Sequence, residues 1–256
     1  MVQYYPSISP DHQEWILKQP VYFVASAPSR GKHVNISPKG LPASSLAILT
    51  PNKAAYLDAT GSGNETISHL RENGRITIMF CSFGPAPRIL RLFCTGNVVE
   101  YNDPAFRPWL SDMGLAEGYI VGVRAVITLD IFLVQTSCGY GVPRLALHTD
   151  AATGEVKPYL QDRETISEWG EKKSVKNELF KYQREWNAES LDGLPGMRTA
   201  LEARGKSKAA ITMSIALCKH RRILELVGTV FFTVFALWLA GSLKMPVFLL
   251  DRTASL

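Results

Sequence analysis

A glycine-rich turn, Gly61-Ser62-Gly63, leads into a short helical segment, and three basic residues on strand-like segments, Lys39, Arg88 and Arg91, could meet it. A turn that opens a helix aims free backbone N–H groups and the positive end of the helix dipole at one point, which suits a phosphate. Ser62, Asn64 and Thr66 add neutral donors. Asp58 and Glu65 lie close by and oppose a bare anion. The same turn also reads as a plain strand-to-helix connection with solvated arginines, because turns of this composition are common. Ser62 with Glu65 three residues on has the form of a capping box, Ile67 and Leu70 share a helical face, and Gly74 stands where a left-handed C-terminal cap belongs.

Other chemistries find less support. His12, His33, His69, His148 and His220 are scattered, and no GxSxG nucleophile elbow accompanies them. There is no P-loop and no GxGxxG fingerprint. Cys81, Cys94, Cys138 and Cys218 are widely spaced without a CxxC, so neither a structural zinc nor any other metal centre is expected. The first residues carry prolines and tyrosines rather than the basic and then apolar regions of a signal peptide. The expectation is free thiols in a reducing, cytoplasmic setting.

A chain of 256 residues can bury one sizeable core and carry an appendage. With 46% hydrophobic and 20% charged residues, it is neither a disordered chain nor a wholly membrane-embedded one. The net charge of +5 is partly local, at Lys206, Lys208, Lys219, Arg221 and Arg222, and no nucleic-acid motif goes with it.

The elements that must position the turn follow a meander. Ser9-Pro10 starts a helix that Pro20 stops. Val21 to Ser26 is a β-branched and aromatic strand, and His33 to Ser37 a second one ended by Pro38-Lys39-Gly40. Leu46 to Thr50, Ala54 to Asp58, Arg75 to Cys81, the long Arg88 to Glu100 and Val121 to Thr136 continue the series, the last broken at Leu129-Asp130. Asp103-Pro104 opens a helix with Phe106, Trp109 and Leu110. Ser137 to Pro143 is a tight turn.

Composition then shifts. Asp162 to Ala188 is charged and helix-forming, and Thr199 to Ala210 is a basic linker. Ile223 to Leu243 is apolar except for Glu225, and its 21 residues would span about 31 Å as a helix. A membrane anchor and a buried helix both fit this segment; its length and basic flanks favour the anchor, and with it a tail held in an intracellular membrane.

The order VNISPKG, YLDATGSGNETISHLRENGRITIMF, RILRLFCTGNVV and QTSCGYGVP resembles the pyridoxamine 5'-phosphate oxidase-like family, in its fungal-type subgroup, over roughly residues 1–196. The resemblance implies a mainly β (α+β) chain. Its core would be a six-stranded split β-barrel with flanking helices, usually a homodimer, with flavin mononucleotide (FMN) at the dimer interface. The expected domains are the FMN-binding barrel over 1–150, a helical extension over 151–198 that packs on the barrel or the partner, the basic linker over 199–222 and the anchor over 223–243. Carried over by position, Asn35, Ile36, Ser37 and Lys39 would run along the flavin and its ribityl phosphate, and Gly63, Asn64 and Thr66 would begin the helix near the phosphate. Arg91 would add charge with Lys39. The family's working oxidases hold an Arg-Lys pair where this chain has Glu65-Thr66. Cys138 falls in a motif of the subgroup; a redox role and a buried structural thiol both fit it, and the buried thiol is the expectation. The implied function is an FMN-dependent oxidoreductase. The alternatives are a non-catalytic flavin-binding or interaction module tethered by its tail and, behind both, a haem-binding split barrel.

Overall fold

The computed structural model describes residues 2–40, 42–115, 122–161, 164–239 and 241. They divide into two compact units, Met1–Glu168 and Trp169–Leu256.

The first unit is built on hydrophobic alternation. Its elements are β1 (Gln3–Tyr5), α1 (Pro10–Leu17), β2 (Val21–Ser26), β3 (Asn35–Gly40), α2 (Pro42–Ser45), β4 (Leu46–Thr50), β5 (Lys53–Ala59), α3 (Glu65–Asn73), β6 (Arg75–Cys81), β7 (Arg88–Glu100), α4 (Phe106–Asp112), β8 (Val123–Cys138), β9 (Arg144–Thr149) and β10 (Val156–Gln161). One sheet runs in the order β3-β2-β6-β7-β8-β5-β4, with β1 added on β8. Every pairing in it is antiparallel. It curls so that alternate residues share one interior: Tyr22 and Val24, Ile78 and Phe80, Leu90 and Leu92, Ile127 and Leu129, Ala54 and Tyr56. The outer face of β5 and β8 presents Ala55, Leu57 and Val126 to Leu110 of α4 and to Met113. The chain is therefore mainly β with flanking helices, as expected. Among the described residues the sheet has eight strands, where six were expected, and does not close.

Local chemistry explains the departures from the expected elements. β3 runs through Pro38 and Lys39 to Gly40 instead of ending before them. Among the described residues it is an edge strand paired only with β2, where a proline's missing N–H is tolerated. β8 is unbroken at Leu129-Asp130. Its irregularity falls next door, where Leu133 faces Phe93 and Ile131 faces Cys94, leaving Phe132 bulged out. Residues 144–161 form the two-stranded hairpin β9–β10, and the compact unit extends past it to Glu168. Leu145 N–H donates to the Phe83 carbonyl at 2.8 Å, which ties β9 to the β6–β7 loop.

The second unit is helical. α5 (Thr165–Val175) leads into it, followed by α6 (Leu179–Trp186), α7 (Arg198–Ala203) and α8 (Lys208–Leu239). Trp169 stacks edge-on against Tyr182 at 5.0 Å. Ala188, Ala200, Leu201 and Ile211 form its small core. No single helix among the described residues is long and apolar enough to cross a membrane; two segments, Lys208–Cys218 and Ile223–Leu239, reach that mark only together, with a bend of 73°. The expected span over 223–243 lies partly outside the described residues, at 240, 242 and 243.

Candidate cofactor site

The site is built at the split in the sheet. β3 and β5 are not hydrogen-bonded neighbours, yet their inner faces meet through side chains. Asp58 on β5 is 2% exposed. Its Oδ1 accepts from Lys39 Nζ at 2.9 Å and its Oδ2 from Arg124 Nε at 2.8 Å. Arg124 reaches on from β8 to the glycine-rich turn, donating to the Gly63 carbonyl at 2.6 Å and to the Gly61 carbonyl at 3.4 Å. Asn35 Nδ2 donates to Ser37 Oγ and to Thr66 Oγ1, both at 3.1 Å, which links β3 to α3. α3 is fixed from behind by a buried hydrogen bond of 2.9 Å shared by Ser26 Oγ and His69 Nδ1. Ile67 and Leu70 seat it in the core as expected, and Gly74 caps it at φ 70°. Leu70 also rests on Gly96, where a Cβ would lie 2.9 Å from Leu70 Cδ2.

These groups enclose a cavity of about 250 Å³ lined by Ser37, Lys39, Asp58, Ala59, Gly61, Ser62, Gly63, Glu65, Thr66 and Arg124. Tyr56 lies beneath it in the core, its ring centroid 5.9 Å from Lys39 Nζ, a cation–π distance. Burial first, and the Asp58 charge second, push its phenol well above the usual tyrosine range. The Tyr56 hydroxyl is buried and has no hydrogen-bond partner among the described residues. A larger cavity of about 420 Å³, at Pro85, Pro87, Arg144 and Gln161, contains none of the expected site residues.

Of the residues expected from the sequence, Ser37, Lys39, Gly63 and Thr66 line the cavity and Asn35 is bonded to two of them. Asn64 serves as the N-cap residue of α3, and its side chain donates to Ser68 Oγ at 3.2 Å. The capping box does not form. α3 begins at Glu65 with Asn64 as its N-cap residue and no side-chain cap, while Arg124 holds the carbonyls of Gly61 and Gly63.

Ile36 and Arg91 are not brought in. Ile36 alternates outward on β3 and is 65% exposed. Lys39 stands opposite Tyr22 and Phe80 on the inner face, whereas Arg91 stands opposite Met79 and Phe23 on the other face. There Arg91 donates to Gln135 Oε1 at 3.1 Å and to Ser137 Oγ at 3.4 Å. Cys138, expected to be buried, is exposed at the end of β8; the buried thiols are Cys81 and Cys94, whose burial pushes their pKa up and keeps them unreactive. Among the described residues all four cysteines are free.

Arg124 is the group that sequence reasoning missed. Asp58 and Arg124 are charges of opposite sign beside the apolar runs of β5 and β8, the signal of a cross-strand pair. The register between β5 and β8 shifts between Asp58 and Ala59, at the point where Arg124 turns toward the carboxylate.

Comparison with known proteins agrees with the sequence patterns. The family model described as "Pyridoxamine 5'-phosphate oxidase" matches residues 8–138. The "Pyridoxamine 5'-phosphate oxidase family protein ustO" of Aspergillus flavus is 54% identical over 203 residues, covering 79% of this chain and 81% of that protein. Among solved structures, a HupZ variant from Group A Streptococcus is 19% identical and covers 51% of this chain and 99% of its own, with a TM-score of 0.40. A putative pyridoxamine 5'-phosphate oxidase from Listeria innocua is 13% identical and covers 48% of this chain and 94% of its own, with a TM-score of 0.34. The family model and the fungal relative are sufficient: the chain belongs to the pyridoxamine 5'-phosphate oxidase family.

Proposed function

We propose that the chain binds FMN, with the phosphate and ribityl end in the cavity between β3, β5 and α3, and that it acts as a flavin-dependent oxidoreductase. The observation that carries this reading is the pair of cations on Asp58. An ammonium has three N–H groups and a guanidinium five. Lys39 uses one on Asp58, and Arg124 uses three on Asp58, Gly61 and Gly63, so each has two left beside a cavity that also offers the Ser37 and Thr66 hydroxyls. That donor set fits a phosphate and a polyol.

The cavity is smaller than the roughly 300–1,000 Å³ of a whole-ligand pocket. It would hold one end of the cofactor and leave the ring system beyond its mouth. Exposed Val34 and Ile36, beside Asn35 and Ser37, would then be covered by a second copy of the chain, in keeping with a homodimer. Bound FMN would supply the electron chemistry. The chain's own part is to hold it: Lys39 and Arg124 orient the anionic end, and Asn35 fixes the Thr66 hydroxyl at the start of α3. A haem would need a His or Cys ligand, and the described lining residues include neither.

The test is to purify the full chain from flavin-replete cells, denature it and identify the released cofactor by chromatography. FMN near one per subunit is expected; haem, or no chromophore after incubation with added FMN, contradicts the proposal.

A further inference from the structure

α3 opens on Glu65-Thr66 and brings no cation to the cavity, so the positive charge among its lining residues is that of Lys39 and Arg124. The fold brings Arg124. Its side chain is 25% exposed and reaches the cavity from β8. Asp58, with a side chain only 3% exposed, gives one oxygen to Arg124 and the other to Lys39, so the two cations are held on either side of a single carboxylate. Asp58 cannot leave this position without exposing two unmatched cations. Glu65 can leave its own. It is an exposed residue of the first turn of α3, and its carboxylate folds back over Gly63, with Oε2 only 2.7 Å from where a Cβ on that glycine would stand. The lining therefore carries two cations and two carboxylates, one locked and one free to swing out.

We infer that Arg124 is the phosphate-specificity residue of this cavity, positioned by Asp58, and that Glu65 is its built-in competitor. A phosphomonoester displaces the Glu65 carboxylate and takes the spare donors of Arg124 and Lys39. The inference rests on the flavin reading only for the choice of FMN as the phosphomonoester.

The experiment compares FMN with riboflavin, which lacks the phosphate, on the full-length protein. Flavin fluorescence quenching gives the two dissociation constants, and line broadening in ³¹P NMR reports binding of inorganic phosphate. Wild-type protein is expected to prefer FMN. Arg124→Met should cut that preference by about tenfold or more, the scale of a charge-assisted hydrogen bond, with FMN losing more affinity than riboflavin. Arg124→Lys should restore part of it, and Glu65→Gln should raise it. Phosphate broadening should be present in wild type and lost in Arg124→Met. If Arg124→Met weakens both flavins equally, or neither, the inference is overturned. If wild type binds the two flavins equally and ignores phosphate, the inference falls together with the phosphate's place in this cavity, and flavin binding alone stands. If neither flavin binds but phosphate binding depends on Arg124, the flavin reading falls and the anion seat stands. If wild type binds neither flavin nor phosphate, both fall.

Discussion

Arg124 Nε meets Asp58 Oδ2 at 2.8 Å, and the other oxygen of the same carboxylate takes Lys39 from β3 at 2.9 Å. Because β3 and β5 share no ladder, this three-residue bridge joins the two sides of the split where backbone hydrogen bonds do not. Removing the carboxylate leaves two cations facing each other. Asp58→Ala should therefore lower unfolding stability in urea by about 3 kcal/mol, the lower end of the range for a broken buried pair, since both cations keep some access to water. A loss below about 1 kcal/mol would show that the bridge is not structural.

Tyr56 presents the opposite case. Its ring belongs to the core, but its buried hydroxyl has no partner among the described residues. Tyr56→Phe should leave stability unchanged or raise it by up to about 1 kcal/mol, because it removes an unpaired polar group and keeps the ring. A clear drop in melting temperature would mean that the hydroxyl is bonded in solution.

His12 on α1 is 7% exposed, its Nδ1 is buried without a partner, and its ring packs edge-on against Tyr5 at 4.8 Å. Burial first, and the Arg88 charge second, lower its pKa from 6.5. The unfolded chain therefore takes up the proton first as pH falls, and stability falls with pH from about 6.5 down through the lowered value. Melting temperatures between pH 7.5 and pH 5.5 should decline less in His12→Leu than in wild type. Parallel declines would contradict this assignment.

Gly139 follows the last residue of β8 and has no room for a side chain. A Cβ there would stand 2.7 Å from the Arg88 backbone nitrogen and 3.1 Å from its carbonyl carbon. Backbone atoms cannot swing aside, so Gly139→Ala should destabilise by about 1–3 kcal/mol. Gly141, two residues on, has open space at the same position, and Gly141→Ala is the control. Equal effects in the two variants would remove the steric explanation.

The strands that alternate strongly, Val21–Ser26, Arg75–Cys81 and Arg88–Glu100, could be read directly because period-two burial writes itself into residue type. What could not be read depends on pairing. Pro38 looks like a strand stop unless β3 is known to be an edge. Arg91 and Lys39 look alike as charges until register puts them on opposite faces of the sheet. Ser62 looks like a cap until the helix is seen to start at Glu65, with Asn64 in the cap position. The β9–β10 hairpin did leave a signal, the alternation of Leu145 and Leu147 and the turn at Gly154, but exposure of most of its residues weakened the pattern.

The central claim is that the Asp58-bridged cations hold the anionic end of FMN. Calorimetric titration of FMN into flavin-free protein, alongside Lys39→Met, tests it most directly. One FMN per subunit in wild type, with affinity reduced at least about tenfold in the variant, is the predicted result. No binding to wild type, or equal affinity in the two proteins, would contradict it.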